Sequence, residues 1–210
     1  MSSAIESFIG IGPSDTLDHA AVPGVRLAML DEAHLPALFS ATPADTFRYF
    51  QRWPSDATLP SFVEYLTTRF IGNPSVRSLV VLDAATGQPL GSSSFLDIDP
   101  ANRCVEIGAT WYVSAARGTA VNPSCKWLML RHAFEVCGCV RVTIKCDNRN
   151  EHSKRAIVKL GATFEGVLRQ HRILEDGFVR DTAYFSVIAG EWPAMSARLL
   201  ERINRPASHA

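Results

Sequence analysis

The 210-residue sequence predicts an α/β protein of the α+β kind, a mixed and mostly antiparallel sheet flanked by helices. Three observations carry this expectation. Segments with strand periodicity and helix periodicity follow in the order β-α-α-β-β-β-α-β-α-β-β, which suits one sheet with helices laid against it. Residues 104–113 alternate more clearly than any other stretch. Val105, Ile107, Ala109, Trp111 and Val113 fall on one face, and Glu106, Gly108, Thr110 and Tyr112 on the other. Hydrophobic residues make up 47% and charged residues 20% of the chain. At this length roughly 70% of the unfolded chain's surface is buried on folding, enough for a core without covalent staples.

Residues 1–23 are rich in Ser, Gly, Pro and Asp and are expected to form a flexible amino-terminal arm. A folded domain is expected over 24–192, and a terminal helix and tail over 193–210. The first strand is expected over 25–30. Asp31 is placed to cap a helix carrying Leu35, Leu38 and Phe39. Residues 47–53 concentrate aromatics (Phe47, Tyr49, Phe50, Trp53) before Pro54. Ser61 is expected to open a second helix, with Phe62, Tyr65, Leu66 and Phe70 along one stripe. Strands follow over 78–82, 89–98 and 104–113, separated by turns at Thr86-Gly87 and Asp99-Pro100-Ala101-Asn102. Residues 123–137 read as a helix opened by Pro123, where the missing N–H would be unpaired anyway. A strand over 140–146 and a helix over 150–160, ended by Gly161 in the left-handed position, come next. Strands over 163–170 and 178–188 flank the turn Glu175-Asp176-Gly177.

Lys plus Arg and Asp plus Glu both number 21, so the formal net charge is zero. A general nucleic-acid binder would show a basic excess, so no nucleic-acid partner is expected. The local basic run Arg141, Lys145, Arg149, Lys154, Arg155 and Lys159 is either a solvated face or a contact for phosphate. The chain does not open with a basic stretch followed by an apolar one. No apolar run approaches the roughly 18–20 residues that span a bilayer, so no membrane association is expected. The five cysteines form no disulfide framework, and Cys137-Gly138-Cys139 lacks a second ligand pair at zinc spacing. A reducing, cytoplasmic setting without a metal site is the expectation.

Two segments carry chemistry. Arg117-Gly118-Thr119-Ala120-Val121-Asn122 joins the strand ending at Val113 to the helix near Pro123. Small residues ahead of a helix let backbone N–H groups approach a ligand, and the helix terminus favours an anion such as a diphosphate. Asn150 then heads a helix as an N-cap, and Ser153 falls on its inward stripe with Ala156, Ile157 and Leu160.

Together these segments resemble the GNAT superfamily of N-acetyltransferases. The loop Arg117 to Asn122 stands where that family has Arg/Gln-x-x-Gly-x-Gly/Ala, and Asn150-x-x-Ser153 with Leu160-Gly161-Ala162 matches its second motif. Val105-Glu106-Ile107-Gly108, the Asn150 motif, Arg180-Asp181-Thr182 and Glu191-Trp192 resemble the RimJ/RimL branch, which acetylates protein amino termini. The resemblance covers 25–192. The chain departs from the pattern at Ala120 and Asn122, where the family usually has Gly and then Gly or Ala.

The resemblance implies a sheet whose central strands splay, acetyl-CoA as cofactor, and direct attack by an amine on the thioester. Backbone groups of Tyr112 and Val113 would bond the pantetheine arm, and Arg117, Gly118, Thr119, Ala120, Val121 and Asn122 the pyrophosphate. Asn150 would touch the cofactor arm and Ser153 would give the departing thiolate its proton. Glu106 is the candidate base because it shares a strand face with Thr110 and Tyr112. Its removal is expected to cost most at acidic pH, where more of the amine is protonated. Tyr49, Trp53 and Thr110 are candidates for the acceptor pocket. The implied partners are acetyl-CoA and an amine, either a protein amino terminus or a small molecule, with a homodimer implied by the family.

An α-amine, with a reference pKa of about 7.7–8.0 against about 10.4 for lysine, asks less of a base. That favours α-amines over lysine side chains. Two other readings compete. One is a module that binds CoA or a protein without turnover, given Ala120 and Asn122. The other is a cysteine nucleophile such as Cys125 with His132, which sit two helical turns apart.

Overall fold

The computed structural model describes residues 7–205. Its sheet comprises β1 (Thr16–Leu17), β2 (Val25–Met29), β3 (Arg77–Asp83), β4 (Pro89–Asp99), β5 (Cys104–Tyr112), β6 (Arg141–Asp147), β7 (Thr163–Ile173) and β8 (Val179–Ile188). The strands lie in the order β1-β2-β3-β4-β5-β6-β8-β7. Every neighbouring pair is antiparallel except β5 and β6. The helices are α1 (Leu35–Ala41), α2 (Leu59–Leu66), α3 (Val121–Arg131), α4 (Glu151–Leu160) and α5 (Trp192–Asn204). The predicted mixed, mostly antiparallel class is the observed one. Among the described residues no helix is long and apolar enough to cross a membrane.

Local chemistry sets the helix ends. Asp31 caps a short turn (Glu32–His34) by accepting from the Ala33 N–H at 2.9 Å, as the sequence indicated. The second helix starts at Leu59, earlier than Ser61, because Thr58 is its cap and Pro60 tolerates the first turn. Likewise α3 starts at Val121, so Pro123 is its third residue. The first-turn N–H groups have no intrahelical acceptor, so a proline there still removes nothing. Gly161 ends α4 at φ 104°, as expected.

The amino-terminal segment differs from the expected loose arm. Residues 1–6 of that arm, and 206–210 of the predicted tail, lie outside the described residues. From residue 7 onward the segment packs on the body. Ile9, Ile11 and Val22 are buried, β1 pairs with β2, and the Ile9 carbonyl meets His132 Nε2 at 2.6 Å. Three apolar side chains in a polar stretch are enough to hold it down, since each buried aliphatic contributes about 1.5–3 kcal/mol.

Two features of β5 shape everything that follows. Its ladder to β6 holds only three pairs, Cys104↔Arg141, Val105↔Val142 and Glu106↔Thr143. Beyond Glu106 the two strands part, while β6 stays paired with β8 from Arg141 to Asp147. The second feature is a bulge. On the β4 side Ser94 faces Gly108 and Ser92 faces Trp111, so Ala109 and Thr110 together oppose Ser93. Ala109 takes a left-handed φ of 47° to accommodate the extra residue.

That bulge overturns the alternation read from the sequence. Across it the parity of the strand inverts, so Glu106 and Gly108 share a face with Trp111, while Ile107 shares the opposite face with Thr110 and Tyr112. Contacts agree with the inversion. Trp111 packs edge-on against Phe47 and Phe62 at 5.5 and 6.0 Å, whereas Thr110 is bonded to Lys126 of α3 on the other side.

Candidate functional site

Where β5 and β6 part, a groove of about 1410 Å³ opens. It runs from the starts of α3 and α4, past Glu106, to residues 45–52 and the β7–β8 hairpin. Twelve Lys or Arg side chains line it against five Asp or Glu. A chain with zero net charge has thus concentrated its cations in one cleft, which suits a polyanionic ligand.

Glu106, 5% exposed, lies where the two strands begin to part. Gly108 makes room for it, because a Cβ at that position would stand 2.6 Å from the Glu106 carboxylate and 2.9 Å from Leu96. Glu106 pairs with Lys145 Nζ at 2.6 Å, and the same Nζ reaches Asp97 at 2.7 Å. Burial pushes the Glu106 pKa up to about 7, and the Lys145 ammonium restrains the rise. Although burial opposes it, the two carboxylates hold Lys145 above its ordinary range, so it stays charged. A buried carboxyl that titrates near neutrality is able to take up a proton at working pH.

On the opposite face of β5, Lys126 is fully enclosed. Its Nζ donates to Ser93 Oγ at 3.0 Å and to Thr110 Oγ1 at 2.5 Å, with no carboxylate in ion-pair contact among the described residues. Burial lowers its pKa to about 8. Thr110 lines the groove, yet its hydroxyl is committed to this trio and is not on the Glu106 face.

The backbone of β5 determines what the groove is offered. The Val113 N–H donates to the Leu90 carbonyl at 3.0 Å, which makes Gly91 and Tyr112 a non-hydrogen-bonded pair. Tyr112 therefore turns its N–H and carbonyl toward the parted edge. Of the two residues expected to bond a pantetheine arm, Tyr112 keeps its N–H available. Val113 does not, since its N–H is committed to β4. The Tyr112 carbonyl accepts from Arg117 Nε at 3.1 Å, and Arg117 Nη2 reaches Thr46 at 2.7 Å. Arg117 thus fastens the mouth of the groove.

The loop after β5 forms an anion cradle. Gly118 sits at φ 76°, the one loop position that needs a glycine. Ala120 has φ −70°, so its methyl costs nothing there, and Asn122 lies in the first turn of α3 with its side chain bonded by the Tyr112 hydroxyl at 3.1 Å. The Val121 N–H is taken by Thr119 Oγ1 at 3.2 Å. The N–H groups of Gly118, Thr119, Ala120 and Asn122 have no acceptor among the described residues. Four unpaired donors at a helix start, within a cationic groove, fit a diphosphate.

Opposite them, Asn150 Oδ1 caps α4 through the Ser153 N–H at 3.0 Å, which leaves its Nδ2 free. Ser153 is half-buried and lines the groove beside Asn150 and Cys146. At the acceptor end Tyr49 lines the groove, with the Arg48 guanidinium 4.7 Å from its ring and that of Arg149 at 5.9 Å. Trp53 does not line it. Its side chain packs back on the core and its N–H bonds Glu175 at 3.2 Å. The cysteine alternative also loses its geometry, as Cys125 lies buried against Met129 while His132 faces Ile9.

Sequence reasoning passed over Lys126 and Asp97, named Lys145 only within a basic run and Arg180 only within a family motif, and all four line the groove. Only Lys126 left a legible trace, a lone charge inside the apolar helix segment Cys125-Lys126-Trp127-Leu128.

Comparison with known proteins converges on one family. The model for an Acetyltransferase (GNAT) domain matches residues 25–163. A structure from T. thermophilus, described as an acetyltransferase, shares 36% identity, covering 90% of this chain and 96% of its own, with a TM-score of 0.82. A GCN5-related N-acetyltransferase from Brucella melitensis shares 29% over 91% and 86% of the two chains, also at 0.82. At fold level alone, Mycobacterium smegmatis RimJ in complex with CoA-disulfide has a TM-score of 0.72 at 22% identity, over 91% and 95% of the chains. The ribosomal L7/L12 alpha-N-protein acetyltransferase RimL (21% identity, TM-score 0.67) covers 83% and 94%. Spermidine N-acetyltransferase from Vibrio cholerae, in complex with CoA and spermine (15%, 0.66), covers 81% and 98%. No curated protein matches the chain.

Proposed function

The chain belongs to the GNAT family of acetyltransferases, enzymes that take their acetyl group from acetyl-CoA, and on that premise we propose that its acceptor is an α-amine, most directly a protein amino terminus. The observation that carries this reading is Glu106, a buried carboxyl where the two strands begin to part, with a pKa of about 7. Proton transfer to it from an α-ammonium of pKa about 7.8 is uphill by about 1 kcal/mol, and from a lysine ammonium of pKa about 10.4 by about 5 kcal/mol. The site is therefore matched to the first and poorly matched to the second.

The remaining residues divide the work. Acetyl-CoA, when bound, supplies the activated acetyl carbon and a thiolate leaving group. The N–H groups of Gly118, Thr119, Ala120 and Asn122 would hold its diphosphate, and Arg155 and Lys159 line the same groove. The Tyr112 N–H, turned into the slot, would bond the pantetheine arm or the thioester oxygen. Asn150 Nδ2 would orient the arm. Glu106 accepts the amine's proton, with Lys145 and Asp97 fixing its carboxylate in place. Ser153 Oγ, which lines the groove at the start of α4, would give the departing thiolate its proton. A RimJ/RimL-like acceptor choice agrees with this arrangement.

The test is CoA release over three acceptor classes: unblocked peptides lacking lysine, amino-blocked peptides containing lysine, and polyamines. Turnover of the first class, at least about 100-fold faster in kcat/KM than the second near pH 7.5, is expected from the fractions of free amine. Preferential turnover of blocked lysine peptides or polyamines would overturn the proposal. Tight acetyl-CoA binding without CoA release on any amine would favour a binding module instead.

A further inference from the structure

Arg180 is 9% exposed, and a guanidinium that deep normally meets a carboxylate, because dehydrating a charge is costly without a counter-charge. Here its partners are neutral. Nε and Nη2 donate to Thr182 Oγ1 at 3.2 and 3.0 Å, and Nη1 donates to the Tyr49 carbonyl at 3.4 Å. A guanidinium has five N–H donors, so two remain without an acceptor among the described residues.

The nearby carboxylates are already engaged. Asp147 is gripped by Arg149 at 3.0 and 2.7 Å, and Lys145 holds both Glu106 and Asp97. A second cation adds to the imbalance. Arg172 stands directly across the β7–β8 ladder from Arg180, brought there by a register irregularity between Leu168 and Arg172, so both side chains leave the same face. Like charges directly opposite on a ladder repel. Both arginines line the groove on the side of Glu106. Burial lowers the Arg180 pKa; the Asp147 carboxylate, already held by Arg149, offsets only part of that, and Arg172 adds to the drop.

We infer that the acceptor carries a carboxylate beside its amine, and that Arg180, supported by Arg172, receives it. The inference rests on the α-amine reading above. Glu106 would face the amino group and Arg180 the carboxylate, so the two ends of the acceptor are sorted by charge. A planar guanidinium with free donors suits a carboxylate, and the cationic wall disfavours a polyamine. The carboxylate has two sources of the same chemistry: an acidic side chain close behind a peptide's amino terminus, or the α-carboxylate of a free amino acid.

Two matched pairs separate them, each titrated calorimetrically into protein saturated with CoA and assayed for acetylation: peptides beginning Ser-Asp and Ser-Asn, and serine with serinamide. The carboxylate-bearing member of at least one pair should bind about tenfold tighter or more, the size of a charged hydrogen bond. The pair with the larger ratio identifies the source. Arg180→Gln should bring that ratio to about one, and Arg180→Lys, which keeps the charge, should retain part of it. Equal binding within both wild-type pairs, or a ratio unchanged in Arg180→Gln, overturns the inference and leaves the α-amine proposal standing. With an amino-blocked lysine peptide and spermidine assayed in parallel, a carboxylate preference accompanied by acetylation of the lysine side chain only would support Arg180 and overturn the α-amine proposal. Preference for spermidine over all four overturns both.

Discussion

Replacing Glu106 by Gln keeps the shape of a fully enclosed side chain and removes its titration. If Glu106 is the base, kcat/KM for an α-amine acceptor should fall by at least about 100-fold at pH 8, the usual range for general-base catalysis. The pH dependence of that loss is more telling than its size. A carboxyl with a pKa of about 7 is about 90% ionised at pH 8 and about 10% ionised at pH 6. The ratio of wild type to Glu106→Gln should therefore shrink by about ninefold between those pH values. The sequence alone suggested the reverse, a loss greatest in acid, where more of the amine is protonated. Burial inverts the expectation. Initial rates of CoA release from pH 5.5 to 9, at acceptor concentrations below KM, give the ratio directly. A ratio flat across pH 6–8 would refute the role of Glu106 as a base with a raised pKa. Stability supplies a check that does not involve turnover. The folded pKa lies above the unfolded one, so Glu106 contributes stability below about pH 4.5 that is lost as pH rises through about 7. Wild type should lose stability relative to Glu106→Gln across that window in urea melts, and parallel curves would contradict it.

Three further outcomes are expected. Asn150→Ala should raise the KM for acetyl-CoA and cost about 1 kcal/mol of stability through loss of the cap, whereas Asn150→Asp, which keeps the acceptor but not Nδ2, should raise KM with little loss of stability. Steady-state kinetics paired with thermal melts separates the two roles. Lys126→Met should stabilise the fold by about 1–3 kcal/mol at pH 7, since the Ser93–Thr110 hydrogen bond (2.8 Å) survives and a buried charge is removed. That gain should narrow above about pH 8, where the wild-type lysine loses its proton, as chemical denaturation at pH 7 and pH 9.5 will show. Ala109→Gly should raise stability by about 1 kcal/mol by relieving a left-handed φ, and Ala109→Val should lower it, both measured by urea denaturation.

Much of the fold was legible because it is written in periodicity and caps: Asp31, Asn150 and Gly161 end elements where their chemistry says they should. Glu106 was chosen from the sequence because it was expected to share a strand face with Thr110 and Tyr112. The reason given for choosing it was wrong, however. Ala109 carries no mark of a left-handed backbone, so nothing in the residue types announced the bulge that moves Thr110 and Tyr112 to the other face. The roles of Lys145, Asp97 and Arg180 were not legible because their importance lies in register. Lys145 matters only once β6 is known to lie beside β5, and Arg180 only once β7 sets Arg172 across from it. Trp53 failed as a pocket residue for a similar reason, since composition gathers aromatics into a cluster but does not say which of them face the core.

Catalysis here depends on β5 and β6 parting to admit the cofactor, and a crystal structure with CoA bound tests this most directly. The pantetheine arm should run between the two strands beyond Glu106, with the diphosphate on the N–H groups of Gly118, Thr119, Ala120 and Asn122. CoA bound elsewhere, or β5 and β6 paired along their whole length with the cradle still unfilled, would contradict it.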